Sequence, residues 1–399
     1  MKVPPAQRSV PDVLAPATLG PARLRNRIIK AATFEGRTPE GRITDDLVAF
    51  HTDLARGGVG MTTVAYCAVA PEGRTDRHQI LMRPEAIEAL QTLTSAVHAE
   101  GAAVCAQLGH AGPVANGASN GTPALAPHTL PSPLSMRLIR RATTDDLARI
   151  VTAHAESARV AADAGFDAVE LHFGHNYLIS AFLSPLLNRR RDGYGGSPHA
   201  RARLARETAA AVREAVGERI AVTAKLNMDD GVPGGLWLDE SLQIARWLED
   251  DGHLDALTLT AGSSLLNPMY LFTGEAPVRD FAAAFGGPSR ALLRAGIRLS
   301  GNAFLREYPY RDAYLLDRAM QFREELELPL ILLGGITGRE TMELAMRRGF
   351  AFVAMARALL REPGLPNRLA TEPDHRSLCV HCNRCMPTIY RRTRCVLTG

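Results

Sequence analysis

The chain has 399 residues, 46% of them hydrophobic and 22% charged. That balance supports a large buried core and excludes whole-chain disorder, collagen and coiled coil. The net charge of +4 is spread along the chain, with no dense Lys/Arg block interleaved with aromatics, so nucleic acid is not an expected partner. No apolar run is long enough to span a bilayer, and the start MKVPPAQRSVPDVLAPATLG lacks a secretory apolar core, so a soluble cytoplasmic protein is expected.

Short runs rich in Val, Ile, Leu and Thr recur along the chain, and stretches of helical period follow them. Asn26–Ala32 reads as a first strand and Val59–Ala68 as a second. Pro84–Gly101 reads as a helix, with Pro in its first turn and Gly as its stop. Ala103–Gly109 is the third strand, and the Gly-, Pro- and Ser-rich segment Ala111–Leu138 is expected as a long loop. Thr144–Gly165 reads as a helix with Thr144 as its cap. Ala168–His172 is the fourth strand and Arg201–Gly217 a helix; Ile220–Leu226 is the fifth strand and Leu238–Gly252 a helix. Ala256–Thr260 is the sixth strand, followed by an insertion, Ser263–Pro309, of loops and short helices. Asp312–Leu326 is helical, Pro329–Gly334 is the seventh strand, Gly338–Gly349 a helix and Phe352–Ala356 the eighth strand.

Eight strand-then-helix units predict parallel strands with right-handed crossovers, and eight matches a closed (β/α)8 TIM barrel. No G-x-G-x-x-G stands between a strand and a helix with an acid downstream, so no second nucleotide-binding domain is expected. The expected organisation is a barrel over residues 1–370 and a Cys-rich tail over 371–399.

Chemistry in such a barrel sits at the C-terminal ends of the strands. Those ends carry Ala32 and Thr33; Ala65; Gln107; His172, His175 and Tyr177; Lys225; Gly334 and Gly335; and Ala356 and Arg357. Gly334-Gly335 lets backbone N–H groups approach an anion, and Arg357 adds a fixed charge. Lys225 is a lone cation on an apolar strand, suited to negative charge on a ring system. Gln107 both donates and accepts, which suits a heterocyclic amide edge. Two imidazoles can polarise one oxygen, and Tyr177 can deliver a proton. The set points to a phosphate-bearing planar cofactor beneath a carbonyl-polarising pair.

Of six cysteines, Cys67 and Cys105 stand alone in apolar segments and read as core residues. Cys379, Cys382, Cys385 and Cys395 crowd the tail, which suggests a metal rather than disulfides. Four thiolates suit a 4Fe–4S cluster or a structural zinc; His375 and His381 are further candidates for zinc.

The stretch HFGHNYLISAFLSPLLNRRRDGYGGS (172–197) resembles the signature of the old yellow enzyme family of flavin-dependent ene-reductases, H-x-x-(H/N)-x-Y-L followed by F-L-x-P-x-x-N-x-R-x-D-x-Y-G-G-S. QLGHAG (107–112), RNRIIKAA (25–32), LLGGI (332–336) and VAMARALLREP (353–363) resemble further parts of that family. The resemblance implies FMN in a TIM barrel. It implies that Ala32, Thr33, Ala65, Gln107 and Lys225 contact the isoalloxazine, and that Gly334, Gly335, Ala356 and Arg357 hold the phosphate. It also implies that His172 and His175 bind the substrate's activating oxygen, that hydride passes from flavin N5 to an activated alkene, and that Tyr177 protonates the α-carbon. NAD(P)H is the implied electron donor and a small molecule the implied substrate; a homo-oligomer is the family's habit. Lys225 departs from the family's usual Arg, and Phe34 from its usual Thr or Cys.

The tail resembles the branch of 2,4-dienoyl-CoA reductase and trimethylamine dehydrogenase-like proteins, whose 4Fe–4S cluster follows a C-x2-C-x3-C-x11-C pattern. Here both later gaps are shorter. Two rivals follow: an electron-relay flavoprotein fed by an electron-donor protein, and a barrel lyase or aldolase forming a Schiff base on Lys225.

Overall fold

The computed structural model describes residues 10–132, 137–284 and 305–398. Eight parallel strands close into a barrel: β1 (Ile28–Lys30), β2 (Met61–Ala68), β3 (Ala103–Gly109), β4 (Ala168–Phe173), β5 (Ala221–Asn227), β6 (Ala256–Thr260), β7 (Leu330–Leu333) and β8 (Phe352–Met355). Each pairs with its neighbours in chain order, and β8 pairs with β1, which removes the sheet edges. The expected (β/α)8 architecture is therefore present. The strands are short, as the barrel layer needs only three to eight residues from each.

The outer layer contains α1 (Asp45–Arg56), α2 (Ile87–Ala99), α3 (Thr144–Asp163), α4 (Pro198–Val216), α5 (Leu238–Asp250), α6 (Leu316–Glu325) and α7 (Arg339–Arg347). Two short helices, Arg357–Arg361 and Leu365–Thr371, follow β8. Strand and helix faces meet in one large apolar core, with Leu54, Val64, Leu93, Val169, Phe173, Val222 and Leu257 among its buried members. The lower barrel interior is filled mostly by small residues, including Ala103, Ala168, Ala221 and Ala256, around Ile29, Ile331 and Phe352. An antiparallel hairpin, Ala17–Leu19 with Ala22–Leu24, was not expected; it packs Leu19 and Leu24 into that same cluster.

Several local expectations are corrected. The cap of α3 is Thr143, one residue earlier than expected, and it forms a reciprocal capping box with Asp146. The expected loop Ala111–Leu138 carries structure: a one-turn helix, Gly117–Asn120, and short strands Leu125–Ala126 and Leu130–Pro131, both pairing with Leu138–Arg141. The helix Leu178–Leu183, fully buried, lies inside the signature stretch. In the expected insertion Ser263–Pro309, Pro268–Phe272 and Val278–Ala284 are helical, and 285–304 lie outside the described residues. Among the described residues no helix is long and apolar enough to cross a membrane.

Candidate active site

The site grows from the alternation of strands. Along β4, Glu170 and His172 share one face; Glu170 is level with Gln107 of β3, and His172 with Lys225 of β5. All four are buried. Glu170 Oε1 accepts from Gln107 Nε2 and from Lys225 Nζ, both at 2.7 Å, and Oε2 accepts from Thr258 Oγ1 at 2.9 Å. Lys225 is therefore one half of a buried ion pair with Glu170, a setting not foreseen from the sequence.

Above this level the chain turns sharply. His175 and Asn176 both take positive φ (59°), a conformation costly for residues other than Gly and held here by its surroundings. Asn227 Oδ1 accepts the His175 N–H at 3.0 Å, while Asn227 Nδ2 donates to Asp230 Oδ1 at 2.9 Å and to Gly262 O at 2.8 Å. Asn176 Nδ2 donates to the same Asp230 oxygen at 3.1 Å. His175 Nε2 meets Thr260 Oγ1 at 3.0 Å. The turn brings three rings together: His172 and His175 with centroids 5.1 Å apart, and His172 edge-on to Tyr177 at 4.4 Å. Tyr66 packs edge-on to Tyr177 at 5.4 Å and donates its hydroxyl to Gly73 O.

Electrostatics fix the proton inventory. Burial, with His175 and Lys225 nearby, holds His172 well below the ordinary histidine value; burial and Lys225 bring His175 down to about 3. Both rings are neutral at physiological pH, so each carries one N–H donor. Burial pushes the Tyr177 hydroxyl up, so it keeps its proton. The buried Nδ1 of His172 has no hydrogen-bond partner in the protein. A polar atom left so in a packed interior is a candidate ligand contact.

The β2 side is shaped by a bulge. Register with β3 shifts between Val64 and Cys67, so Ala65 and Tyr66 together face the region of Gln107. Ala32, Ala65, Tyr66 and Tyr177 share one apolar cluster, with Thr33 next in the chain and half-buried. The Ala65 N–H is committed to the Glu35 carboxylate, at 3.2 and 3.1 Å, so only its methyl and carbonyl are left for a ring. Glu35 is itself paired with buried Lys30 at 2.9 Å. Neither residue was picked out from the sequence, nor was Glu170. Its signal was there, as a charged residue two before His172 in an otherwise apolar run, AVELHF.

At the far side, Gly334 and Gly335 have φ of 96° and 73°. A Cβ on Gly335 would stand 2.6 Å from the Ala313 nitrogen, so only Gly fits this close approach. Ala356 lies at the end of β8. Arg357 departs from expectation: it donates to Thr273 O at 3.1 Å and to Phe272 O and Asn383 Oδ1, tying the insertion to the tail. It lines a pocket with Cys379, Cys382, Cys385 and Cys395. The four thiols thus share one pocket, yet no group of three or more His, Cys, Asp or Glu among the described residues is gathered as a metal-ion shell. His375 is bonded to Glu362 at 2.9 Å, and His381 stacks on Tyr310 at 3.3 Å, so neither is placed as the zinc ligand considered from sequence. Cys67 and Cys105 are buried in the core as expected.

The donors present fit an isoalloxazine: an ammonium and an amide buried on neighbouring strands around Glu170, small residues beside them and an unpartnered imidazole nitrogen on His172. The chain is 55% identical over 387 residues to 4,4'-dithiodibutanoate disulfide reductase of Rhodococcus erythropolis, covering 97% of this chain and 95% of that protein. Its fold matches 2-naphthoyl-CoA reductase with a TM-score of 0.82 at 21% identity, over 96% of this chain but 56% of that one. It also matches the old yellow enzyme homologue of Zymomonas mobilis, with a TM-score of 0.71 at 21% identity, over 93% and 96% of the two chains. Residues 12–259 match the NADH:flavin oxidoreductase / NADH oxidase family. With that match and a near full-length relative at 55% identity, the chain belongs to this family, and it is a flavin-dependent oxidoreductase of the old yellow enzyme type.

Proposed function

We propose that the chain binds FMN over Gln107 and Lys225 and, with electrons from NAD(P)H, reduces an activated C=C bond of a small α,β-unsaturated carbonyl compound. Bound reduced FMN supplies the hydride. The observation that carries the reading is the cluster of two neutral imidazoles and a protonated tyrosine. His172 donates to the carbonyl oxygen, and so does His175 from Nδ1, with the Thr260 hydroxyl donating to its Nε2; together they draw electron density from the alkene. Tyr177 then gives its proton to the α-carbon. Gly334, Gly335 and Ala356 cradle the phosphate, and Arg357 faces it only if its guanidinium leaves Asn383.

A second acceptor is favoured by the 55% identical relative, whose name specifies an organic disulfide. A disulfide has no oxygen for the imidazoles to polarise. There Tyr177 would protonate the leaving thiolate as the S–S bond takes two electrons, and His172 would hold the substrate's polar end. The test is anaerobic stopped flow of the reduced protein with 2-cyclohexenone and with 4,4'-dithiodibutanoate. Faster flavin reoxidation by the enone supports the first reading, and faster reoxidation by the disulfide supports the second. Reoxidation by neither overturns both.

We further propose a 4Fe–4S cluster in the tail, residues 371–399, outside a barrel over 1–370. A zinc ion draws each thiolate to about 2.3 Å from one point. A 4Fe–4S cubane takes four thiolates, one per iron, and the four thiols that line this pocket meet that number. Iron and sulfide assays on protein purified without oxygen decide between them. In that case Cys379, Cys382, Cys385 and Cys395 are the ligands, and an electron-donor protein is the natural feeder.

A further inference from the structure

We infer that Glu170 is a positioning residue that sets both the amide orientation of Gln107 and the effective charge of Lys225 beneath the flavin. The inference rests on the FMN reading above. Glu170 lies in the barrel interior on β4, between Gln107 on one side and Lys225 on the other. An ionised carboxylate only accepts hydrogen bonds. Here its acceptors take one N–H of the Gln107 amide, the Lys225 ammonium and the Thr258 hydroxyl.

Two consequences follow. First, the Gln107 amide has one allowed orientation. Flipped, it would set its oxygen against a carboxylate oxygen in a buried site, which is repulsive. One of its two N–H groups is thus committed to Glu170, and its oxygen remains to accept from a ring N–H. Second, Lys225 presents half of an ion pair and not a bare cation. Its side chain and that of Glu170 are only 3% and 9% exposed, so water does little to screen either charge. The attraction of Lys225 for the extra negative charge of reduced flavin is offset by the carboxylate 2.7 Å away. Glu170 touches neither substrate nor hydride in this arrangement; it acts through two neighbours.

The measurement is the two-electron midpoint potential of bound FMN in Glu170→Gln, read with dissociation constants for oxidised and reduced FMN. Loss of the compensating charge is expected to tighten reduced FMN about tenfold relative to oxidised FMN. That is a rise of about 30 mV for a two-electron couple. In Glu170→Gln/Lys225→Met the rise disappears, because there is no cation left to unmask. Glu170→Asp keeps the buried charge and is one methylene short of holding both neighbours. It gives a smaller rise of the same sign, and it carries the test if the Gln variant does not fold. An unchanged or lowered potential in these variants overturns the inference. So does equal weakening of both FMN oxidation states, which a merely structural role would produce. A wild-type chain that binds no FMN would overturn the cofactor reading as well. FMN bound at an unmoved potential would overturn this inference alone.

Discussion

The mouth of the barrel at β3–β5 and the cysteine pocket of the tail are both clusters of reactive side chains, and they are built in opposite ways. At the mouth, strands fix the positions. Gln107, Glu170, His172 and Lys225 sit on strand residues whose register leaves no freedom, and Asn227 with Asp230 locks the turn above them. In the tail, loops and short helices carry the cysteines. A few bonds anchor them to the barrel: Arg357 reaches in to Asn383, while from the tail Thr393 bonds to Phe34 and Glu35 and Arg392 to Asp46. All four tail cysteines are partly exposed, whereas the mouth residues are buried. A preorganised strand site needs no ligand to assemble. A loop site of this kind depends on its ligand, or on a few anchoring bonds, for its shape.

Four substitutions or conditions would sharpen or break that contrast. The largest effect is expected from Tyr177→Phe, which removes the proton donor and leaves the ring packing. Reoxidation of reduced flavin by the acceptor should slow by about 10²- to 10⁴-fold. Reduction by nicotinamide should be spared. Stopped-flow traces of the two half-reactions check this, and equal slowing of both would remove Tyr177 from the acid role. Next is His172→Ala with His175→Ala. Two lost hydrogen bonds at about 1–1.5 kcal/mol each amount to roughly a hundredfold weaker acceptor or phenol binding. Flavin content should stay unchanged, because the strand positions beneath the rings are untouched.

Arg357→Ala probes the other region. It removes the donor to Phe272 O and Asn383 Oδ1, while Thr273 O keeps its bond from Asn383 Nδ2, and should lower the opening free energy of residues 376–398 by about 1–3 kcal/mol. Hydrogen exchange would show this as faster exchange in the tail and unchanged exchange in β3–β5. FMN content of the same variant reports on the phosphate: full retention would take Arg357 out of the phosphate site.

The last expectation concerns the pH dependence of stability. His51, His154, His172 and His175 are all depressed by burial, His154 to about 4 and His175 to about 3. Unfolding returns each to its ordinary value near 6.5. Below that value the unfolded chain takes up protons that the folded chain refuses. Stability therefore falls as pH drops from about 6.5 through the folded values, and these groups leave it flat above. Denaturant titrations between pH 8 and 4 measure the slope, and His154→Gln should reduce it.

Much of the mouth was legible because period-two alternation and strand ends are local features. His172, His175 and Tyr177 fall within six residues, and the ends of β3 and β6 were read to the residue. Glu170 was passed over because, by itself, a charged residue in a strand does not reveal its partners. Those partners are 63, 55 and 88 residues away. The α3 cap was misread by one position because Thr143 and Thr144 are chemically equivalent caps. Only the backbone turn chooses between them. The structured segment over Ala111–Leu138 was missed because two-residue strands have too few residues to show a period.

The sequence by itself determined the eight-unit order, the burial of the strands and the chemical types at their ends, since these follow from periodicity and side-chain chemistry within short windows. The tertiary structure alone decided which of those groups meet. Barrel closure set Glu170 between Gln107 and Lys225, cancelling a charge that looked free. The return of the tail across the barrel turned Arg357 toward the cysteines, because long-range packing, and not local pattern, selects each side chain's partner.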